Sequence, residues 1–382
     1  MNWDLISAVI FYSIIAIIIY KYRDRFERMY KIFIVYKTKR SLNFMRRLAK
    51  FKPFWKIFST IAIPVAIFFM AYAGVALFSN LQRIVAGVGV SGVGFVIPGV
   101  RIPGSPIFVP FWPGIIAIGI LAIVHEFSHG IVAAMEDIDL KATGFGFLAI
   151  LPLAFVELDE KQMMEASPLK RMRILASGAF GNVVVWGLLL VILSTLFIPF
   201  ASSVSFPLGI RVLGVNEGFP AEQAGIEIDD LIIGIDGNEI LTQGQFLDYL
   251  QNVEPGSVIN IETERGVFEV ETTIHPQHET MSYLGVSVEG ETDILPEASE
   301  KYGFGIPVFF WSFEVLLWVM TLNLLVGIMN FLPIWALDGG GILHGLLSYV
   351  IKNEKILMIT LNLIFAFFLT LIVLNIIGPF IF

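Results

Sequence analysis

No cysteine occurs in the 382 residues, which excludes disulfides, thiolate nucleophiles and thiolate metal ligands. Charge is scarce as well, since Asp, Glu, Lys and Arg together make up 15% of the chain. Histidine is scarcer still, with five. A chain that is 56% hydrophobic, with a mean hydropathy of +0.78, cannot hide its apolar surface in a soluble core. Six runs approach the ~20 apolar residues that cross a bilayer. They are Trp3–Tyr20, Ile57–Phe78, Ile115–Met135, Ile174–Phe200, Ile306–Met329 and Ile356–Ile377. The first has no basic leader and no A-x-A-like cleavage site, so it is expected to be an uncleaved helix. The fold class expected is a polytopic α-helical membrane protein with about six transmembrane helices.

The few charges are unevenly placed. Lys21–Lys56 holds 13 of the 25 Lys and Arg residues, against only Asp24 and Glu27. Ser205–Lys301 holds 19 of the 33 Asp and Glu residues, against Arg211, Arg265 and Lys301. A second basic cluster, Lys170, Arg171 and Arg173, precedes the fourth run. The positive-inside rule puts both basic clusters in the cytoplasm, and counting spans then puts both termini and the acidic segment outside. The basic segment reads either as a topology signal or as an amphipathic helix on anionic headgroups. No nucleic-acid partner is expected.

Between the runs the character of the chain changes. Asn80–Pro113 is apolar yet broken by Gly and Pro, which reads as a hairpin or re-entrant loop on the outer face. Thr143–Glu160 has the same character on the inner face and could offer a free strand edge to an extended peptide. Ser205 to about Gly290 alternates short apolar runs with turn residues, and "QFLDYLQNV" reads as a short helix. This is an inserted soluble α+β module. Four regions are therefore expected: 1–56, an N-terminal helix and basic segment; 57–204, a membrane core; 205–301, the extracytoplasmic module; and 302–382, a C-terminal membrane core.

One stretch carries chemistry, "LAIVHEFSHGIVAAM", Leu121–Met135. On a helix, His125 and His129 stand one turn apart on one face, where both imidazoles can ligate one zinc ion. Glu126 lies beside them and can take a proton from an attacking water. Ionisable groups within a span are functional candidates by default, because burying them unpaired is costly. A catalytic zinc takes three protein ligands, so a third is needed. His275 and His278 fall in the module, on the wrong side of the membrane. Asp338, in "NFLPIWALDGGGILHG", follows a span broken near Asn330 and Pro333. It reads as the third ligand, or alternatively as a cap for a helix starting near Gly341.

"HEFSHG", "SPLKRMRILASGAFGN" and "NFLPIWALDGG" together resemble the site-2 protease family of intramembrane zinc metalloproteases. The resemblance maps His-Glu-x-x-His onto His125, Glu126 and His129. It maps Asn-x-x-Pro-x-x-x-Leu-Asp-Gly onto Asn330, Pro333, Leu337, Asp338 and Gly339, and a Gly-x-x-x-Asn element onto Gly178 and Asn182. It implies a Zn2+ cofactor held by His125, His129 and Asp338, with Glu126 as the base. It also implies substrate- or ligand-orienting roles for Asn182 and Asn330, whose alternative is interhelical bonding. Many members carry a histidine directly after the double glycine, where this chain has Gly341, with His344 three residues on. A core or interfacial role for His344 is the simpler reading.

"GFPAEQAGIEIDDLIIGIDGNEI" resembles the PDZ domains of bacterial-type proteases, which add a peptide strand or C-terminus to a sheet edge. Tyr283, Leu284, Gly285 and Val286 are one candidate for its ligand loop, and Pro207–Ile210 the other. The expected function is hydrolysis of peptide bonds in single-pass membrane substrates, such as a membrane-tethered anti-sigma or transcription factor. The expected location is the prokaryotic plasma membrane, with the active site nearer the cytoplasm. The rival readings are a different membrane zinc protease, with Glu157 or Glu165 as third ligand, a metal transporter or sensor, and a silent scaffold presenting the PDZ-like module.

Overall fold

The computed structural model describes residues 3–29, 33–87, 91–94, 96–100, 102, 107–148, 151–275 and 278–381. The chain divides into two compact units, one of Met1–Ser194 with Trp311–Phe382 and one of Thr195–Phe310.

In the first unit the helices are α1 (Trp3–Lys21), α2 (Leu42–Ala49), α3 (Lys52–Val85), α4 (Phe111–Met135), α5 (Glu160–Glu165) and α6 (Pro168–Ile192). Among the described residues, five helical segments are long and apolar enough to cross a membrane: Lys52–Val85, Phe111–Met135, Pro168–Val204, Gly305–Asn330 and Glu354–Phe380. The first apolar run forms α1, whose apolar stretch Ile6–Lys21 is shorter than these five.

Four strands accompany the helices: β1 (Glu27–Met29), β2 (Phe33–Thr38), β3 (Leu140–Leu148) and β4 (Leu151–Leu158). They form one antiparallel sheet in the order β1-β2-β3-β4, so β4 is a terminal strand. The basic segment is thus only partly helical. Its "FIVYKT" run, aromatic and β-branched, pairs with β3 from Phe33↔Leu148 to Thr38↔Thr143. The helical part is α2, which buries Leu42, Met45 and Ala49 against Ile131, Val132 and Met135 of α4. Of the broken stretch 80–113, residues 88–90, 95, 101 and 103–106 lie outside the described part. The rest is non-helical between Gly87 and Pro110, with one antiparallel bridge, Ile97↔Val100.

The second unit begins in a π-helical turn, Leu193–Phe197, whose last residues belong to it, and continues through α7 (Ile198–Val204). Then follow β5 (Ser205–Val215), α8 (Pro220–Gln223), β6 (Leu231–Ile235), β7 (Asn238–Glu239), α9 (Gln243–Asn252), β8 (Val258–Thr263), β9 (Gly266–Glu271), β10 (Thr273–His275), β11 (His278–Tyr283), β12 (Val286–Ile294) and α10 (Pro296–Tyr302). The main sheet runs β12-β5-β6-β8-β9, with β7 paired to β6, and β10-β11 form a separate ribbon. Ile210, Ile232, Ile235, Ile259, Ile261 and Leu284 are fully buried in its core. At ~25 cal/mol per Å2 of apolar surface, fully burying a branched side chain contributes ~1.5–3 kcal/mol, so these residues give the unit a core of its own. α9 starts with a capping box on Thr242 and Gln245.

The chain re-enters the first unit through α11 (Gly305–Asn330), followed by α12 (Asp338–Val350) and α13 (Glu354–Ile377).

Candidate metal centre and active site

α4 brings His125 and His129 together as its 3.6-residue period requires. Their Nε2 atoms lie 3.0 Å apart. The third group arrives from a different element. α11 ends at Asn330, where Pro333 has no N–H to continue it, and residues 331–337 form tight turns. Phe331 and Leu332 are fully buried and anchor those turns. Gly339 is required there, because a Cβ on it would stand 2.1 Å from the Phe331 carbonyl. α12 then starts, and Asp338 Oδ2 sits 3.2 Å from both His125 Nε2 and His129 Nε2. His125, His129 and Asp338 are the one group of three or more such side chains, among the described residues, whose ligand atoms converge this closely.

The donor set fits zinc. Corners of a tetrahedron around zinc with ~2.0–2.1 Å bonds lie about 3.3 Å apart, close to the 3.0 and 3.2 Å separations here. Asp338 Oδ2 is buried without a hydrogen bond, which fits a metal ligand. Nor does Asp338 cap its helix, since the N-cap is Leu337 and no side-chain cap bond forms.

The imidazoles are oriented from behind. His129 Nδ1 is 2.7 Å from the Ile174 carbonyl on α6, a contact only a protonated Nδ1 can make, which leaves Nε2 bare. His125 Nδ1 is 3.5 Å from the side-chain nitrogen of Asn182. Asn182 is fully buried and its Oδ1 has no partner. Turning that amide by 180° puts the oxygen toward Nδ1–H of His125 and gives it a donor. α6 approaches this closely because Gly178 faces His129, where a Cβ would come 2.2 Å from Nε2. Gly181 similarly faces Ser128. An ion pair of 3.0 Å between Arg173 and the buried Glu136 holds the base of α6 to the end of α4.

Glu126 points to the other side. Its Oε2 accepts from the backbone N–H of Val156 at 2.9 Å. Val156 is opposite Thr143 in the β3–β4 ladder, as Ala154 is opposite Phe145 and Pro152 opposite Phe147. Antiparallel alternation therefore turns the backbone groups of 152, 154 and 156 away from β3, onto the free edge of β4. A cavity of about 860 Å3 opens beside His125 and Glu126, lined also by Pro152, Ala154, Asn330 and Tyr72.

Other candidates lie elsewhere. Glu157 pairs with Lys37 at 2.9 Å and Glu165 with Lys161 at 3.9 Å, so neither joins the metal group. His344, on α12, is outside it as well. Asn330 lines the cavity and its amide donates to Val326 at 3.0 Å. In the second unit, Leu284 is buried and Gly285 adopts a φ of 82°. Their carbonyls accept from Ala221 and Asn216 at 2.9 and 2.8 Å. Pro207–Ile210 lie inside β5, mostly paired to β12, rather than in a loop.

A chain with these elements matches Peptidase family M50 over residues 113–372. It belongs to that family, the site-2 protease family of zinc metalloproteases, and is an intramembrane protease with Zn2+ as its cofactor. Among its relatives is "Uncharacterized protein MJ0971" of Methanocaldococcus jannaschii, 28% identical over 89% of this chain and 85% of that one. Another is "Putative zinc metalloprotease CPE1693" of Clostridium perfringens, 27% identical over 63% of this chain and 88% of that one. Two solved PDZ domains of SdrC-like proteins also match. The Listeria monocytogenes domain is 24% identical, with a TM-score of 0.19, over 21% of this chain and 86% of its own. The Listeria innocua domain is 28% identical, with a TM-score of 0.19, over 21% and 93%.

Proposed function

We propose that the protein is a site-2-type endopeptidase that cuts single-pass membrane proteins within or beside their apolar segment, with His125, His129 and Asp338 as zinc ligands and Glu126 as the base. The observation that carries this reading is the convergence of three ligand atoms within 3.2 Å, beside a cavity that Glu126 also lines. Zinc, when bound, polarises a carbonyl oxygen and acidifies a water to a pKa of ~7. Glu126 takes the proton of the attacking water and delivers it to the leaving amine. Asn182 keeps His125 in the tautomer that leaves Nε2 bare, as Ile174 does for His129. Asn330, on the cavity wall, orients the substrate backbone.

A transmembrane helix satisfies its own backbone groups and must unwind before a peptide bond can be attacked. The free edge of β4, with Ala154 and Pro152 on the cavity, is the surface that would hold the unwound stretch by strand addition. The charge distribution supports a cytoplasmic placing of both basic clusters and an extracytoplasmic placing of the acidic 205–301 module, and the relatives from Methanocaldococcus jannaschii and Clostridium perfringens support the plasma membrane of a prokaryote. The module's PDZ likeness supports capture of a peptide or substrate C-terminus, with Tyr283–Val286 as the ligand loop. A membrane-tethered anti-sigma or transcription factor fits the substrate class.

The test is cleavage of single-pass reporter proteins in liposomes, with product masses locating the cut. Wild type is expected to cut in or next to the apolar segment and Glu126→Gln to cut nothing. Cuts confined to soluble regions, or an active Glu126→Gln, would overturn the reading.

A further inference from the structure

The bond between Glu126 and Val156 joins the proposed base to the proposed substrate-binding strand, and neither role requires it of the other. We infer that the Val156 backbone N–H is a positioning group: it fixes the Glu126 carboxylate and, being spent on it, leaves Ala154 as the one donor that this edge of β4 can offer a substrate. This rests on the protease reading above.

The free edge between 152 and 156 holds few donors. Pro152 has no N–H, so the edge has only those of Ala154 and Val156. Glu126 Oε2 takes the second at 2.9 Å. An added strand is left with the N–H of Ala154 and the carbonyls of Pro152, Ala154 and Val156. It therefore makes one doubly bonded pair, centred on Ala154, and toward Val156 it meets the Glu126 carboxylate where the next donor would stand. That is where a peptide bond to be cut has to stand. Only a short stretch of substrate need be extended, which keeps small the number of helical bonds given up in the membrane. The carboxylate, for its part, is held from the side opposite its own helix, so its position is defined by α4 and β4 together. Val156 packs its side chain at Gly130 of α4, where a Cβ would stand 3.2 Å from Val156 Cγ1, so strand and helix are in register at this point.

The experiment compares prolines at the two edge positions in the full-length enzyme. Neither N–H is part of the β3–β4 ladder, so proline is tolerated at each. Val156→Pro is expected to retain zinc and KM within about twofold while kcat falls roughly 10- to 100-fold, the worth of a hydrogen bond to a charged group. Val156→Ile, which keeps the N–H, recovers most of the loss. Ala154→Pro is expected to act mainly on KM. A second measurement needs no catalysis: in zinc-free protein the Val156 amide exchanges slowly with deuterium, and Glu126→Ala accelerates it at least tenfold. Wild-type kcat in Val156→Pro, or an exchange rate indifferent to Glu126→Ala, would overturn the inference. A proline variant that loses zinc is misfolded, and the exchange result on the native backbone then decides. Glu126→Gln run alongside separates the two claims. If it is inactive with zinc retained while Val156→Pro works normally, only the positioning role falls. If it cuts substrate, the protease reading falls with it.

Discussion

Gly178→Ala is a change of one methyl group that should cost the enzyme its metal. An added Cβ at this position would lie 2.2 Å from Nε2 of His129, 2.5 Å from Cε1 and 2.7 Å from Cδ2. Ordinary carbon contacts are about 3.5–4.0 Å, so the ring would have to retreat by more than 1 Å. It cannot do so freely, because its Nδ1 is bonded at 2.7 Å to Ile174, one turn earlier on the same helix as Gly178. Either that bond breaks or α6 moves off α4, and in both cases Nε2 leaves its place 3.2 Å from Asp338. Disturbing only the groups behind a ligand costs 10- to 100-fold in metal affinity, so displacing the ligand itself should cost at least that. Overpacking of this kind lowers stability by ~1–3 kcal/mol, which a helical bundle of this size can survive. The assay is zinc affinity by chelator competition on the purified protein, with Gly187→Ala as control. Gly187 is on the same helix with nothing within 4 Å of its added Cβ. Wild-type zinc affinity in Gly178→Ala would refute the account of why α6 is small-sided here.

Asn182→Leu should weaken zinc binding 10- to 100-fold while Asn182→Asp keeps it, because a carboxylate can also accept from Nδ1–H of His125; equal loss in both, by the same competition assay, would remove the tautomer argument. In the second unit, Arg265 beside the buried Asp230 holds that carboxyl below its ordinary range, and Tyr249 and Asn260 do the same for Asp236. Both groups bind protons less readily folded than unfolded, so they stabilise fully above an unfolded pKa of ~3.9 and lose this as pH falls below it. Thermal melting followed by circular dichroism should show the unit weakening below pH ~4, and less steeply in Arg265→Gln. Burial, and then Asp236, push the Tyr249 phenol up to about 12, so its absorbance should not titrate near pH 10 while the unit is folded.

How much of this was readable in the residues depends on how local the signal is. His125, Glu126 and His129 are legible because helical spacing alone places two imidazoles on one face. Asp338 is legible because proline and glycines break an apolar run around it, and the turns they make bring it to α4. Gly178 could be aligned with a family pattern, but the reason for it, the ring of His129 against its face, exists only once two helices pack. The strands were harder. β2 pairs with β3 across about a hundred residues, and nothing in "FIVYKT" says which partner it will find. Least legible was the Val156 N–H, since a backbone group has the same chemistry at every residue and is singled out only by the edge on which it falls. The six apolar runs return, among the described residues, as five long helical segments and the shorter α1, with bounds that differ because a composition window sees apolarity while helix ends are set by packing.

The most direct test of the central claim is zinc stoichiometry measured beside cleavage of a single-pass reporter for wild type, Glu126→Gln and Asp338→Asn. The account predicts one zinc per chain and cleavage for wild type, zinc without cleavage for Glu126→Gln, and neither for Asp338→Asn. Full zinc retention by Asp338→Asn, or cleavage by Glu126→Gln, would contradict it.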